Sequence, residues 1–327
     1  MPHGWIILDK PVGLGSTQAV AAVKRNLREA GYGKVKVGHG GTLDPLAEGV
    51  LPIAVGEATK LCGRMLDASK VYAFTIEFGA ETDTLDAEGQ VVERSDHRPP
   101  MAAVAAVLAH FTGEIEQIPP AYSAIKVDGK RAYEKARAGD DVTLKSRRVT
   151  IHALDLANGY AAPEMPDSTF ATTAGRPDPY DPEAPLELAD SVTLRAHVSK
   201  GTYIRSLARD IAHALGTLGH VTYLRREKAG PFTQSQAISL DKLNEIGKGA
   251  PLEDVILPLE AGLDDIPALD LDPDSVQAVR QGRVISGLPQ GDGLYWARSG
   301  TVPVALMQVT TGTAKVVRGF NLPDVAE

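Results

Sequence analysis

One cysteine, Cys62, stands in 327 residues, which leaves no intrachain disulfide and no thiolate metal cluster to build. No apolar run reaches the roughly 18 residues that a membrane-spanning helix needs. The stretch from Met1 to Trp5 has neither the basic n-region nor the apolar h-region of a secretory leader. Nucleotide-binding signatures are missing as well. The glycines at 38–41 lack the third member of a G-x-G-x-x-G turn, and residues 56–60 do not form a G-x-x-x-x-G-K-[ST] loop. A soluble, cytoplasmic protein is the expectation these absences leave.

What is present is enough for a core: 43% of the residues are hydrophobic and 23% charged. The length suits one large domain or two of unequal size. The net charge of −8 argues against a polyanionic partner until it is located along the chain. Residues 161–190 contribute −6 and residues 251–274 contribute −8, so the remainder stands at +6. A basic working surface therefore survives the acidic total. Residues 158–190, with six prolines among acids and small residues, read as a loosely ordered insertion without catalytic content.

The centre of the sequence is the stretch from Gly38 to Pro52, GHGGTLDPLAEGVLP. Gly40 and Gly41 let the backbone turn freely and let a ligand come close. Pro45 pushes Asp44 towards an extended conformation, and Val50 to Val55 reads as a buried strand behind it. A carboxylate held on a loop by a stiff scaffold suits a catalytic acid, base or nucleophile. The same Asp44-Pro45 pair also suits the start of a helix, with Asp44 as its cap. Local chemistry leaves both readings open.

Around this stretch the pattern predicts a strand from Trp5 to Lys10 and a helix capped by Ser16 or Thr17 and ended by Gly31. A second helix is expected over 57–68, a strand over 71–78 with Tyr72 on the face of Phe74, Ile76 and Phe78, and a helix over 101–110. Residues 126–148 hold eight bases and four acids near Tyr122 and Tyr133, either a nucleic-acid contact or a solvated face. A strand over 191–198 leads to a helix capped by Thr202, its apolar face formed by Ile204, Leu207, Ala208, Ile211 and Leu215. Arg205 and Arg209 fall on the other side, where a guanidinium could hold a carboxylate bidentately or simply meet water. Asp272-Pro273 starts a short helix, and residues 292–320 read as short strands of a small β-rich unit.

Read together, the segments GWIILDKP (4–11), the Asp44 stretch, Lys70-Val71-Tyr72, Pro119 to Arg131, Lys200 to Arg205 and His220 to Arg226 resemble the bacterial tRNA pseudouridine-55 synthases of the TruB type. The tail resembles a PUA domain. The resemblance implies an α+β fold, a mixed and largely antiparallel sheet flanked by helices. It also implies a catalytic domain over 1–262, with an RNA-clasping element at 120–150 and the acidic insertion at 158–190, and a PUA-like RNA-binding domain over 263–327.

It implies isomerisation of uridine 55 in the T loop of tRNA with no cofactor and no metal, by a monomer that needs no protein partner and no membrane. Asp44 would be the nucleophile, attacking C1′ or C6, and Arg205 its charge partner. Tyr72 would stack on the base and help to move a proton, while Tyr203 would orient the site. His39 would meet the RNA as the base flips, and Leu224 would line the pocket. Lys10, Lys130, Arg131, Lys200, Arg225 and Arg226 are candidate RNA contacts. The rival from another class is a tRNA-binding or folding protein in which catalysis is incidental. A hydrolase would need a second acid, for which only Glu48 is near in sequence.

Overall fold

The structure is a computed structural model that describes residues 1–123, 125–127, 129–140, 142, 144–157 and 187–322. The acidic insertion expected over 158–190 lies, up to residue 186, outside the described residues. The chain forms two compact units, one of residues 1–70 with 226–327 and one of residues 71–225. The fold is α+β, with strands of a large, mostly antiparallel sheet as the framework.

In the first unit the strand Glu48–Val55 is flanked on both sides. Gly4–Lys10 pairs with it antiparallel from Gly4↔Val55 to Lys10↔Gly49, and Val37–His39 pairs antiparallel with its far end. Both Gly4–Lys10 and Glu48–Val55 are almost continuously apolar and almost continuously buried, as strands covered on both faces should be. Trp5 is fully buried. Its ring lies 5.2 Å from that of Phe232, and its Nε1 donates to the Leu259 carbonyl at 3.1 Å. Leu263, Ile266, Leu306 and Phe320 join the same core, so the C-terminal segment is built into this unit by apolar burial.

That segment is β-rich, as the sequence suggests: a five-stranded sheet runs in the order Ala268–Asp270, Gly293–Ser299, Val302–Thr310, Thr313–Gly319, Ile285–Ser286. The helix Pro273–Arg280 is capped by Asp272, whose side chain accepts from the Ser275 amide at 2.8 Å.

In the second unit the order is Val71–Phe78 (the strand begins at Lys70), Ser191–Val198, Arg147–Leu156, Gly113–Gln117. Phe74, Ile76 and Phe78 are buried, and Tyr72, on their face, is half-buried. The helix Ile204–Ala214 buries Ile204, Leu207, Ala208 and Ile211.

Local signals misled at several caps. The first helix spans Ser16–Glu29 with Gly15 at its cap, because the Ser16 hydroxyl is engaged elsewhere. Tyr203, not Thr202, caps Ile204–Ala214; the Thr202 hydroxyl donates to the Ser199 carbonyl at 3.0 Å. No helix follows Asp44: the Ala47 amide returns to the Asp44 carbonyl at 3.1 Å in a turn, and a strand begins at Glu48. Residues 57–68 split into a 3₁₀ turn, Gly56–Leu61, and a short helix, Cys62–Asp67.

Gly262 lies against the indole: a Cβ there would stand 2.7 Å from Trp5 Nε1 and 2.8 Å from Cζ2. Both partners are rigid and buried. Gly262→Ala should therefore destabilise the chain by ~1–3 kcal/mol through overpacking, read as a lowered Tm, whereas Gly63→Ala, with open space around it, should leave the melt unchanged.

Candidate active site

Asp44 is half-buried on a loop whose backbone is tied down on both sides. Before it, the Ser16 hydroxyl both donates to the Leu43 carbonyl and receives the Leu43 amide, each at 2.8 Å. The Arg226 guanidinium spans three carbonyls, Gly41 at 3.1 Å and Thr42 at 3.3 Å before Asp44 and Val50 at 2.7 Å beyond it. After it, the Pro45 carbonyl accepts from the Gly13 amide at 2.8 Å and from Lys10 Nζ at 3.4 Å. Lys10 Nζ also reaches the carbonyls of Leu14 at 2.7 Å and Pro11 at 3.0 Å. Glycine is required at position 40, where a Cβ would stand 2.6 Å from that of Met65.

These contacts explain where Lys10 and Arg226 lie. Lys10 is 0% and Arg226 1% exposed, although each was expected among the RNA contacts. Both direct their donors at main-chain carbonyls of the loop, so these two are assigned to the loop instead. His39 sits on the same loop system, its Nδ1 receiving the Gly41 amide at 3.4 Å. Burial, reinforced by the Arg226 charge, pushes its imidazole below the ordinary range, so the ring is neutral at pH 7.

The second unit gathers Tyr203 and Arg205 at the start of one helix. Gln117, 1% exposed, clamps the Tyr203 backbone from both sides, donating to its carbonyl at 3.0 Å and accepting its amide at 2.8 Å. Arg205 was placed on the polar side of its helix, yet it is buried. Its Nη1 lies 3.2 Å from Asp86 Oδ2 and 2.8 Å from the Thr84 carbonyl, and its Nη2 donates to the Tyr122 carbonyl at 3.0 Å. Asp86 is itself oriented by the Thr84 hydroxyl at 2.6 Å and the Glu88 amide at 3.1 Å.

Between them Leu85 has φ +63°, a left-handed conformation that costs a non-glycine residue on the order of 1–3 kcal/mol. Strain of that kind persists where its surroundings over-determine it, here around a buried ion pair. Asp86, Gln117 and Ser16 were not foreseen, because a turn residue, a strand-end amide and a helix-start hydroxyl give no periodic signal.

Leu224 is buried and Arg225 half-buried on the strand Gly219–Ala229. Lys130 and Arg131 are exposed on a short strand of the basic segment, and Lys200 is exposed beside Gly201. Among the described residues no cluster of three or more His, Cys, Asp or Glu could hold a metal ion, and no helix is long and apolar enough to cross a membrane.

A family model described as TruB family pseudouridylate synthase (N terminal domain) matches residues 27–175, and one described as tRNA pseudouridylate synthase B C-terminal domain matches residues 205–264. The tRNA pseudouridine synthase B of Novosphingobium aromaticivorans is 68% identical over 327 residues, covering all of both chains. That of Zymomonas mobilis is 56% identical, over 98% of this chain and 96% of its own. Among solved structures, a chain of an H/ACA RNP bound to a substrate RNA containing 2′-deoxyuridine is 24% identical with a TM-score of 0.67, over 98% of this chain and 86% of its own. A chain of a Cbf5-Nop10-Gar1 complex is 24% identical with a TM-score of 0.64, over 98% and 84%. These structures share the fold.

Ser16→Ala removes one buried hydroxyl and strands both polar groups of Leu43, at ~1–3 kcal/mol for each buried group left unsatisfied. The variant should melt lower and also lose turnover, since the residue it frees is the neighbour of Asp44. A lowered Tm with undiminished turnover would show that the clamp serves stability alone.

Proposed function

The chain belongs to the TruB family of pseudouridylate synthases and isomerises uridine to pseudouridine in tRNA, and from that premise we propose that its target is uridine 55 of the T loop and that Asp44 is the nucleophile. The single observation that supports this most is the tied loop, which holds one half-buried carboxylate with hydrogen bonds to the backbone on both sides of it. Pre-organisation of that kind removes the entropic part of a barrier.

The proposed reaction breaks the C1′–N1 bond, rotates the uracil and rejoins it through C5. The aspartate adds to C1′ or to C6 of the base. It is redox-neutral, and every atom of the substrate is retained. The uracil must leave its stack first, at a cost of a few kcal/mol. His39, neutral at pH 7, meets the RNA as it does so. Tyr72 stacks on the extruded base and assists a proton transfer, Leu224 supplies an apolar wall, and Tyr203 orients the ring. Arg205 serves as the charge partner of Asp44.

Lys130, Arg131, Lys200 and Arg225 meet phosphates. Residues 1–262 act as the catalytic domain, with 120–150 closing over the T loop, and residues 263–327 act as a PUA-like RNA-binding domain. The protein works as a cytoplasmic monomer.

Asp44→Asn should abolish pseudouridine formation in a T-stem–loop transcript while RNA affinity stays within about tenfold, since only the transition-state interaction is removed. That outcome separates an isomerase from a protein that merely binds or folds tRNA; normal turnover by the variant would refute the nucleophile. Arg205→Lys should lower kcat/KM by about 10- to 100-fold, because an ammonium cannot hold Asp86 and two carbonyls in one plane. Wild-type kinetics in that variant would remove Arg205 from the site.

A further inference from the structure

Arg147 opens the strand Arg147–Leu156 and stands directly opposite Gln117 in the antiparallel pairing. Its guanidinium carbon lies 4.7 Å from the centre of the Tyr203 ring, so the two strand partners hold the tyrosine together, Gln117 by its backbone and Arg147 by its face. A cation–π contact of this kind holds the guanidinium against the face of the ring.

The hydrogen bonding of that guanidinium is incomplete in a specific way. Its Nε and Nη2 are both buried and neither has a hydrogen-bond partner. Those two atoms form the side-on edge of the guanidinium, the pair of parallel N–H groups that grips a carboxylate or a phosphate bidentately. A lack of acidic neighbours on these strands is not the reason. Arg148, the next residue, lies 3.5 Å from Glu114 and 4.0 Å from Glu116. Buried donors without acceptors cost on the order of 1–3 kcal/mol each, a cost that an arriving anion would relieve.

A second orphan stands at the other end of the same connecting segment. The Ser123 hydroxyl is buried without a partner, one residue after the Tyr122 carbonyl that receives Arg205. Both ends of the segment over 120–150 therefore keep polar groups unsatisfied.

We infer that Arg147 is a substrate-binding residue whose Nε/Nη2 edge takes the two non-bridging oxygens of a tRNA phosphodiester, with Tyr203 as the platform that presents it. The ligand class follows from the fork, which needs a planar pair of anionic oxygens, and from the substrate, whose backbone supplies that pair at every nucleotide. This rests on the reading that Tyr203 belongs to the uridine site. It adds to that reading an anion contact that ties the tyrosine to the RNA backbone.

The test is equilibrium binding of the full chain to a T-stem–loop transcript across a KCl series, with thermal melts alongside. Arg147→Gln should weaken binding about tenfold near 0.1 M salt and flatten the slope of log K against log[KCl] by about 0.7–0.9, the release of one phosphate contact. Arg147→Lys should keep the slope and still lose affinity, because it retains charge without the fork.

An Arg147→Gln variant that melts lower but binds with wild-type affinity and slope would overturn the inference and leave Arg147 as packing for Tyr203. Arg147→Lys binding as tightly as wild type would overturn the fork by itself, whether or not the glutamine variant folds. These arms read binding alone. Turnover by Asp44→Asn would count against the proposed chemistry and leave them unaffected.

Discussion

Two buried cations hold the loop on which the rest depends. Lys10 and Arg226 lie in the interior and direct their N–H groups at main-chain carbonyls on both sides of Asp44. A buried charge is expensive unless it is well solvated by protein groups. Main-chain carbonyls can do that only if the backbone stays where the cation needs it, so the cost of desolvation becomes a restraint on the loop. The strands that bring Lys10 and Val50 together are apolar almost throughout. Their hydrophobic burial supplies the stability against which two interior charges can be tolerated.

The same solution recurs in the second unit with different parts. Arg205 is buried against a carboxylate and two carbonyls, and the backbone at Leu85 is held in a strained conformation beside them. A guanidinium held by a carboxylate and two carbonyls has its direction fixed by the protein before any ligand arrives.

The sequence was most legible where one periodicity decided the outcome. The strands at 4–10 and 191–198, the apolar stripe of Ile204, Leu207, Ala208 and Ile211, and the Asp272 cap all follow from local pattern. It was least legible where one polar side chain had two possible uses. Ser16 looked like a helix cap and is spent on Leu43, 27 positions away. Asp44-Pro45 looked like a helix start and is a turn before a strand. Arg205 fell on the polar side of its helix and is buried, because Asp86 and the carbonyls around it offer what water would have. For Ser16 and Arg205 a distant tertiary partner outbid the local one, and no window of ten residues contains that partner.

Lys10 and Arg226 show why charge counting along the chain misjudged individual residues even though it identified a basic remainder. Composition cannot distinguish a cation that faces an RNA phosphate from one that faces a carbonyl in the interior; both are simply basic. Unmet donors make the distinction better. Among cations near the tied segments, Lys10 and Arg226 have carbonyl acceptors, Arg205 has Asp86, and Arg148 has Glu114 and Glu116, whereas Arg147 has a stacked ring and an edge with nothing to bind. A protein whose function is to meet a polyanion should keep some of its cations in that condition, because a donor satisfied in advance has no free energy left to give the ligand.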